Sequence, residues 1–157
     1  MRKLRLVGQS DALLRRKCRP IKGITDARKA KIGQMFKLMY ASNGIGLAAP
    51  QVGWNARVFV MNITGTAKDE LVFINPVIME ESGGKVEMVE GCLSFPGLIG
   101  PVERNFKAIV QAQDIDGNLF TLEGESLIAR CMLHEIDHLH GVLFIDKAKN
   151  TYRIEDK

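Results

Sequence analysis

Residues 125–140 constrain the fold more than any other stretch of the chain. Leu127, Ile128, Cys131, His134 and His138 recur at helical spacing within one broad face, and Gly141 supplies a stop. The pattern predicts a helix that must bury that face, and what precedes it is mostly strand. Residues 57–63 and 71–79 are rich in β-branched and aromatic side chains between turn formers, and Val86, Met88 and Glu90 alternate with polar or exposed positions up to Gly91. Residues 108–115 and 119–122 flank Asp116-Gly117-Asn118, a hairpin signal. Nearer the start, Ser10 or Asp11 can cap a short helical turn over Leu13 and Leu14. Thr25 and Asp26 can cap a longer helix reaching about Ser42, with Ile32, Met35, Phe36 and Met39 on its apolar side and Asn43-Gly44 at its end. Strands grouped ahead of a helix that has to be buried define an α+β class, with small mixed or antiparallel sheets around the late helix and another helix near the N-terminus.

The 157 residues are 46% hydrophobic and 25% charged, ordinary values that exclude disordered and collagen-like classes. No internal repeat or Pro/Ser-rich linker divides them, so residues 1–157 read as one domain. No apolar run approaches the roughly 18 residues of a membrane span, and the longest, 71–79, is broken by Asn75 and Pro76. Residues 1–8 carry the charges of a secretory leader without its apolar stretch of about 7–15 residues. A soluble, unexported protein is expected. Three widely spaced cysteines, Cys18, Cys92 and Cys131, are too few for a disulfide scaffold and favour a reducing compartment. Lysine and arginine exceed aspartate and glutamate by 22 to 18 and are densest in the first 37 positions. A solvated basic face outweighs an RNA-facing patch there, because no aromatic residues interleave with the charges. Neither DNA nor a membrane is an expected partner.

His134-Glu135-Ile136-Asp137-His138 forms an H-E-x-x-H pattern. Residues four apart on a helix project from the same face, so both imidazoles can reach one ion with Glu135 beside them. Two hydrogen-bonded core histidines are the plain competitor; placement inside an amphipathic helix favours the metal. A catalytic site of this kind takes three protein ligands and leaves a position for water. Downstream stand only Asp146, Glu155, Asp156 and His140, the last reading as a surface residue near the helix end. Upstream, Glu90-Gly91-Cys92-Leu93-Ser94 places a thiol after a glycine at a strand end. Taken alone, Cys92 reads slightly better as a small buried hydrophobe than as a ligand, and Cys18 and Cys131 read as packing residues. Residues 44–51 are too rich in glycine and alanine for a strand interior, follow a helix rather than a strand, and lack the Lys-Ser/Thr of a phosphate loop. They offer backbone that a ligand can approach closely and one neutral amide donor, Gln51; the alternative is a tight loop packed beneath the sheet.

In this order the three segments resemble the signatures of one family, the peptide deformylases. With φ apolar, G-φ-G-φ-A-A-x-Q stands at residues 44–51, E-G-C-L-S at 90–94 and H-E-x-x-H at 134–138. The resemblance runs from Asp11-Ala12-Leu13-Leu14-Arg15 to residues 141–146, nearly the whole chain. It implies an α+β domain built around the metal-binding H-E-x-x-H helix. It also implies metal-dependent hydrolysis of a linear amide, the N-formyl group of the formyl-methionine that begins a nascent polypeptide, with release of formate. By the resemblance, Cys92, His134 and His138 hold one divalent metal ion, and Glu135 shuttles a proton. The Gln51 amide and the Leu93 N–H meet the developing oxyanion. Gly44, Ile45, Gly46, Met88, Glu90, Leu127 and Cys131 are the implied substrate-binding positions, Gly46 through its backbone, and Glu90 is also expected to pair with Arg104. Fe2+ is the implied metal in the cell, with Zn2+, Ni2+ or Co2+ in purified protein, and ligand type alone does not choose among them. The implied partners are formylmethionyl nascent chains and, transiently, the ribosome. The implied location is the cytoplasm, or the stroma or matrix of an organelle.

The chain departs from that family's pattern in places. Leu133 stands where relatives often have Gln, and Arg130 where many have an apolar pocket residue, which predicts an altered side-chain preference. Residues 97–100 lack an arginine often found there, and only residues 151–157 follow Asn150, where many bacterial relatives carry a long helix linked to ribosome docking. Two other readings compete. A general zinc peptidase or amidase is disfavoured by Cys92 as a ligand and by the formyl-sized loop. A non-catalytic, metal-stabilised module at the ribosome is disfavoured by Glu135 and Gln51, which a structural site does not need.

Overall fold

The computed structural model describes residues 2–154. Its helices begin and end where local chemistry demands. Asp11 caps a 3-10 turn at Ala12–Arg15, its carboxylate accepting from the Leu13 N–H at 2.9 Å. Thr25 caps α1 (Asp26–Ala41) by accepting from the Arg28 N–H, and Ile32, Met35, Phe36 and Met39 bury the one face that their spacing aligns. α2 (Leu127–Leu139) is buried at nine of its 13 residues and is followed by Gly141, whose φ of 74° L side chains rarely adopt. A short α3 (Phe144–Lys147) comes last. No described helix is long and apolar enough to cross a membrane.

Five strands pair in sequence order: β1 (Gly46–Ala48), β2 (Val58–Met61), β3 (Leu71–Cys92), β4 (Phe95–Gln113) and β5 (Leu119–Glu125). A sixth, β6 (Tyr152–Arg153), pairs with β4 at Leu98 and Ile99. Every pairing is antiparallel, and two long strands join what read as separate small sheets into one. Residues 71–79 and 86–90 belong to a single 22-residue strand whose register against β4 slips at four places. Asn75 takes a φ of 51° at the first slip, and Gly83 and Gly84 take 85° and 81° at the third. Left-handed backbone at these positions bends the strand, and Gly83-Gly84, which fall between the two segments that read as strands, do not end it. A second difference lies in residues 44–51, where Gly46–Ala48 is strand after all. Pairing with β2 (Gly46↔Met61, Ala48↔Phe59) satisfies its backbone, and its small side chains let α2 lie close. A Cβ on Gly46 would come within 2.8 Å of both Cys131 Sγ and Glu135 Oε1.

β2 is buried on both faces, which explains its unbroken apolar run. Phe59 and Met61 join Phe73 in a cluster with Met132 and Ile136 of α2, while Val58 and Val60 join Ile74 in a cluster with Ile32, Met35 and Met39 of α1. The Phe59 and Phe73 rings stack at 4.3 Å. Burying a large apolar side chain of this kind contributes about 1.5–3 kcal/mol, so α2 is held firmly on the sheet. A third cluster, Leu14, Phe95, Val102, Leu143 and Phe144, backs the strand end that carries Cys92.

The helix stop can be tested directly. A Cβ at Gly141 would lie 2.5 Å from the backbone oxygen of Arg15, and the residue sits at positive φ. Gly141→Ala is expected to lower stability by about 1–3 kcal/mol, read as a reduced denaturant midpoint at unchanged slope. An unchanged midpoint would contradict the tight approach.

Candidate metal centre

Two elements bring three ligand-type side chains together. Cys92 is the last residue of β3, and His134 and His138 stand one turn apart on α2 with ring centroids 5.1 Å apart. One ligand atom from each lies within 4.8 Å of the others, and Cys92 Sγ is 3.3 Å from His138 Nε2. Nδ1 of His134 faces Glu90 Oε1 at 2.9 Å, which leaves its Nε2 for the cluster. Glu90 is itself held: Arg104 grips both oxygens at 2.6 and 3.0 Å, and Arg130 Nη1 donates to Oε2 at 2.6 Å. Arg104 also donates to Asp137 at 2.8 Å. Burial works against the Glu90 carboxylate, yet the bonds from His134 and Arg104 hold its pKa down at about 2. At His134 burial opposes the imidazolium, but the bonds to Cys92 and Glu90 outweigh it and raise the pKa of the metal-free site to about 10, so a metal bound at Nε2 would displace a proton there. Burial pushes His138 well below its ordinary value and so keeps it neutral.

The donor set suits one divalent transition-metal ion: a sulfur and two imidazoles are the ligands such ions prefer, and three protein ligands leave a coordination position open. Among the described residues, His138 Nδ1 and Glu135 Oε2 are the buried side-chain polar atoms without a hydrogen-bond partner. Glu135 is 4% exposed, and burial raises its pKa to about 7. Gln51, 1% exposed, is aimed by the Ala48 N–H, which donates to Oε1 at 2.9 Å. Its Nε2 donates to Ser94 Oγ at 3.0 Å and lies 3.4 Å from Cys92 Sγ.

A cavity of about 670 Å³ opens over this cluster, and every site residue expected from the sequence except His138 borders it. His138 lies beneath, buried, touching Cys92 from behind. Ile45, Met88 and Leu127 form partly exposed apolar walls, and the Leu93 side chain presses against Gly44, where a Cβ would meet its Cδ1 at 2.7 Å. The Leu93 N–H has no acceptor among the described residues. Two expectations change. Glu90 borders the cavity, but both its oxygens are occupied by Arg104, Arg130 and His134, so it braces the site from within. Arg130 borders the cavity too, yet three of its donor bonds go to Glu90 and to strand carbonyls. Sequence reasoning misses Ser94 and Asp137 and places Arg130 in the side-chain pocket, whereas hydrogen bonds tie all three into the site.

A single Cys-His-His group beside a buried carboxylate on the same helix, at the head of an apolar cavity, defines a metal-dependent hydrolase. The chain belongs to the peptide deformylase family: the family model described as Polypeptide deformylase matches residues 3–153. It is similar to Peptide deformylase 1 of Clostridium perfringens, with 48% identity over 136 residues, 87% of this chain and 91% of that protein. Its identity to a peptide deformylase of Hydrogenovibrio crunogenus is 42%, over 98% of this chain and 90% of that one. Among solved structures, a peptide deformylase from Thermotoga maritima superposes with a TM-score of 0.90 at 36% identity, covering 96% of this chain and 100% of that chain. One from Synechococcus elongatus in complex with actinonin also scores 0.90, at 40% identity and covering 94% and 81%.

Two outcomes check the electrostatics and the donor set. Glu90→Gln leaves Arg104 and Arg130 buried without their carboxylate, and should cost about 3–5 kcal/mol in denaturant unfolding. Stripping the metal with a chelator should lower the melting temperature of the wild type, by linkage, and leave that of Cys92→Ala unmoved. Equal melting of stripped and loaded wild type would remove Cys92, His134 and His138 as a ligand set.

Proposed function

We propose that this chain hydrolyses the N-formyl group of peptides that begin with formyl-methionine, releasing formate and a free amino terminus. The carrying observation is Glu135: a buried carboxylate with one partnerless oxygen beside the Cys92, His134 and His138 group. Those three residues would hold the metal. Bound there, a divalent cation supplies Lewis acidity, polarising the formyl carbonyl and acidifying water at neutral pH. Glu135 accepts the proton of the attacking water and hands it to the departing amine, base first and acid second. As the formyl carbon becomes tetrahedral, its oxygen gains charge within reach of the Gln51 amide and the Leu93 N–H; one such donor is typically worth about 3–4 kcal/mol.

Substrate placement follows from the sheet. β1 is an edge strand, paired with β2 on one side only, so the backbone at Gly46 can take an extended peptide as an added strand. Gly44, Ile45, Met88, Leu127 and Cys131 receive the methionine side chain, and Glu90 serves by fixing His134. A side chain at position 46 would collide with Glu135 and Cys131, so glycine keeps the β1 backbone open to a substrate this close to the Glu135 carboxylate. Fe2+ is the proposed ion in the cell, with Zn2+, Ni2+ or Co2+ able to occupy the same ligands. Residues 1–157 act as one catalytic domain, in the cytoplasm or an organelle stroma or matrix, on nascent chains met in transient contact with the ribosome.

Nickel-loaded protein incubated with formyl-Met-Ala-Ser and acetyl-Met-Ala-Ser should release formate from the first and leave the second intact. Glu135→Gln should keep its metal and lose about 10²–10⁴-fold in turnover. Cleavage of internal peptide bonds, or an active Glu135→Gln variant, would defeat this reading.

A further inference from the structure

The metal ligands come from two elements, His134 and His138 from α2 and Cys92 from β3. The set is complete only when helix and strand dock in one fixed relation, because ligand distances tolerate about ±0.2 Å. Arg130 spans that joint. It lies on α2 one turn before His134 and is 6% exposed. Its Nη2 donates to Val86 O at 2.7 Å, and its Nη1 to Val102 O at 2.9 Å and to Glu90 Oε2 at 2.6 Å. Val86 and Glu90 belong to β3, and Val102 is the β4 partner of Met88. One guanidinium thus ties the ligand helix to both strands of the hairpin that ends in Cys92.

Glu90 makes the tie directional. A carboxylate offers about four lone-pair sites. Arg104 takes one on each oxygen, His134 Nδ1 takes the second on Oε1, and Arg130 takes the second on Oε2. With all four filled, the carboxylate cannot turn away from His134. Charge points the same way: Glu90 is paired with Arg104 and Arg130 in the buried part of the network, and Asp137 with Arg104 and the more exposed Lys147.

We propose that Arg130 is a positioning residue for the metal centre, holding Glu90 so that Glu90 fixes the His134 ring and docking α2 on the strand that supplies Cys92. This rests on the ligand set proposed above. It replaces the expectation of an altered side-chain pocket with a role in metal retention.

The test compares wild type, Arg130→Met and Arg130→Lys as nickel-loaded proteins, following metal release to a chelator. Zinc-loaded, ¹⁵N-histidine-labelled samples report solvent exchange of the His134 Nδ1–H. Release should be about 10–100-fold faster in Arg130→Met, the range typical of lost outer-shell partners. The Nδ1–H should exchange at least about 10-fold faster. Arg130→Lys restores a cation to Glu90 without reaching both carbonyls and should fall between. On formyl-Met-Ala-Ser, kcat should drop with KM nearly unchanged. Release from Arg130→Met at the wild-type rate, even with a lowered unfolding midpoint, would overturn the proposal and leave Arg130 a brace of the fold alone. If Arg130→Met does not fold, wild-type release from Arg130→Lys overturns it equally. A wild type that holds no metal overturns it together with the ligand set, whereas one that holds metal but leaves formyl peptides intact defeats the activity while the release comparison still stands.

Discussion

Glu90 keeps a full negative charge where water hardly reaches, and the metal centre is organised around making that tolerable. Moving a carboxylate out of water costs several kcal/mol even after relaxation. Two guanidiniums and an imidazole offset it, each at hydrogen-bond distance. What the arrangement gains is orientation. With His134 Nδ1 committed to Glu90, the ring presents Nε2 to the ligand cluster and cannot flip without breaking its bond to a buried carboxylate oxygen. A hydrophobic residue at position 90 would pack more cheaply but leave the ring free to rotate.

The sheet supplies the second constraint. β3 and β4 are long because their bulges let them bend, and the bend carries Glu90 and Cys92 from the sheet to the face of α2. Without the slip between Gly91 and Cys92, strand alternation alone would set where the thiol points. On the other side of α2, β1 ends the sheet at an edge whose smallest residue, Gly46, lies against Glu135 and Cys131. The same glycine that allows helix and edge to touch leaves a backbone free to pair with a peptide, so packing and substrate access come from one missing side chain.

Much of this was legible in the residues. Periodicity placed both long helices within a residue or two, Asp11 and Thr25 capped where expected, and the three ordered motifs carried the ligand set that the fold assembles. The misreadings share a cause. Gly83 and Gly84 fall between the two segments that read as strands, and only a neighbouring strand in the right register turns them into a bulge. Gly46–Ala48 lacks the β-branched residues that announce a strand, because its partner α2 demands small side chains there. Arg130 was legible as a charge in an apolar face but not as part of a network, since Glu90, Val86 and Val102 lie far from it along the chain. Long-range partners, not local propensity, decided each of these.

The two glutamates near the metal ligands show how environment divides labour between identical side chains. Both are almost fully buried, at 7% and 4% exposure, so burial alone would raise both pKa values. Glu90 receives donors on every face and is driven to about 2, a permanent anion that accepts hydrogen bonds and never moves a proton at working pH. Glu135 keeps one oxygen with no donor at all, and burial raises it to about 7, so it takes a proton more readily than an ordinary carboxylate. Exchanging their surroundings would exchange their roles: a Glu135 bonded on both oxygens would resist protonation, and a bare Glu90 would be protonated and hold the His134 N–H less strongly. The chemistry therefore belongs less to the H-E-x-x-H glutamate as such than to its burial with a second oxygen that has no partner.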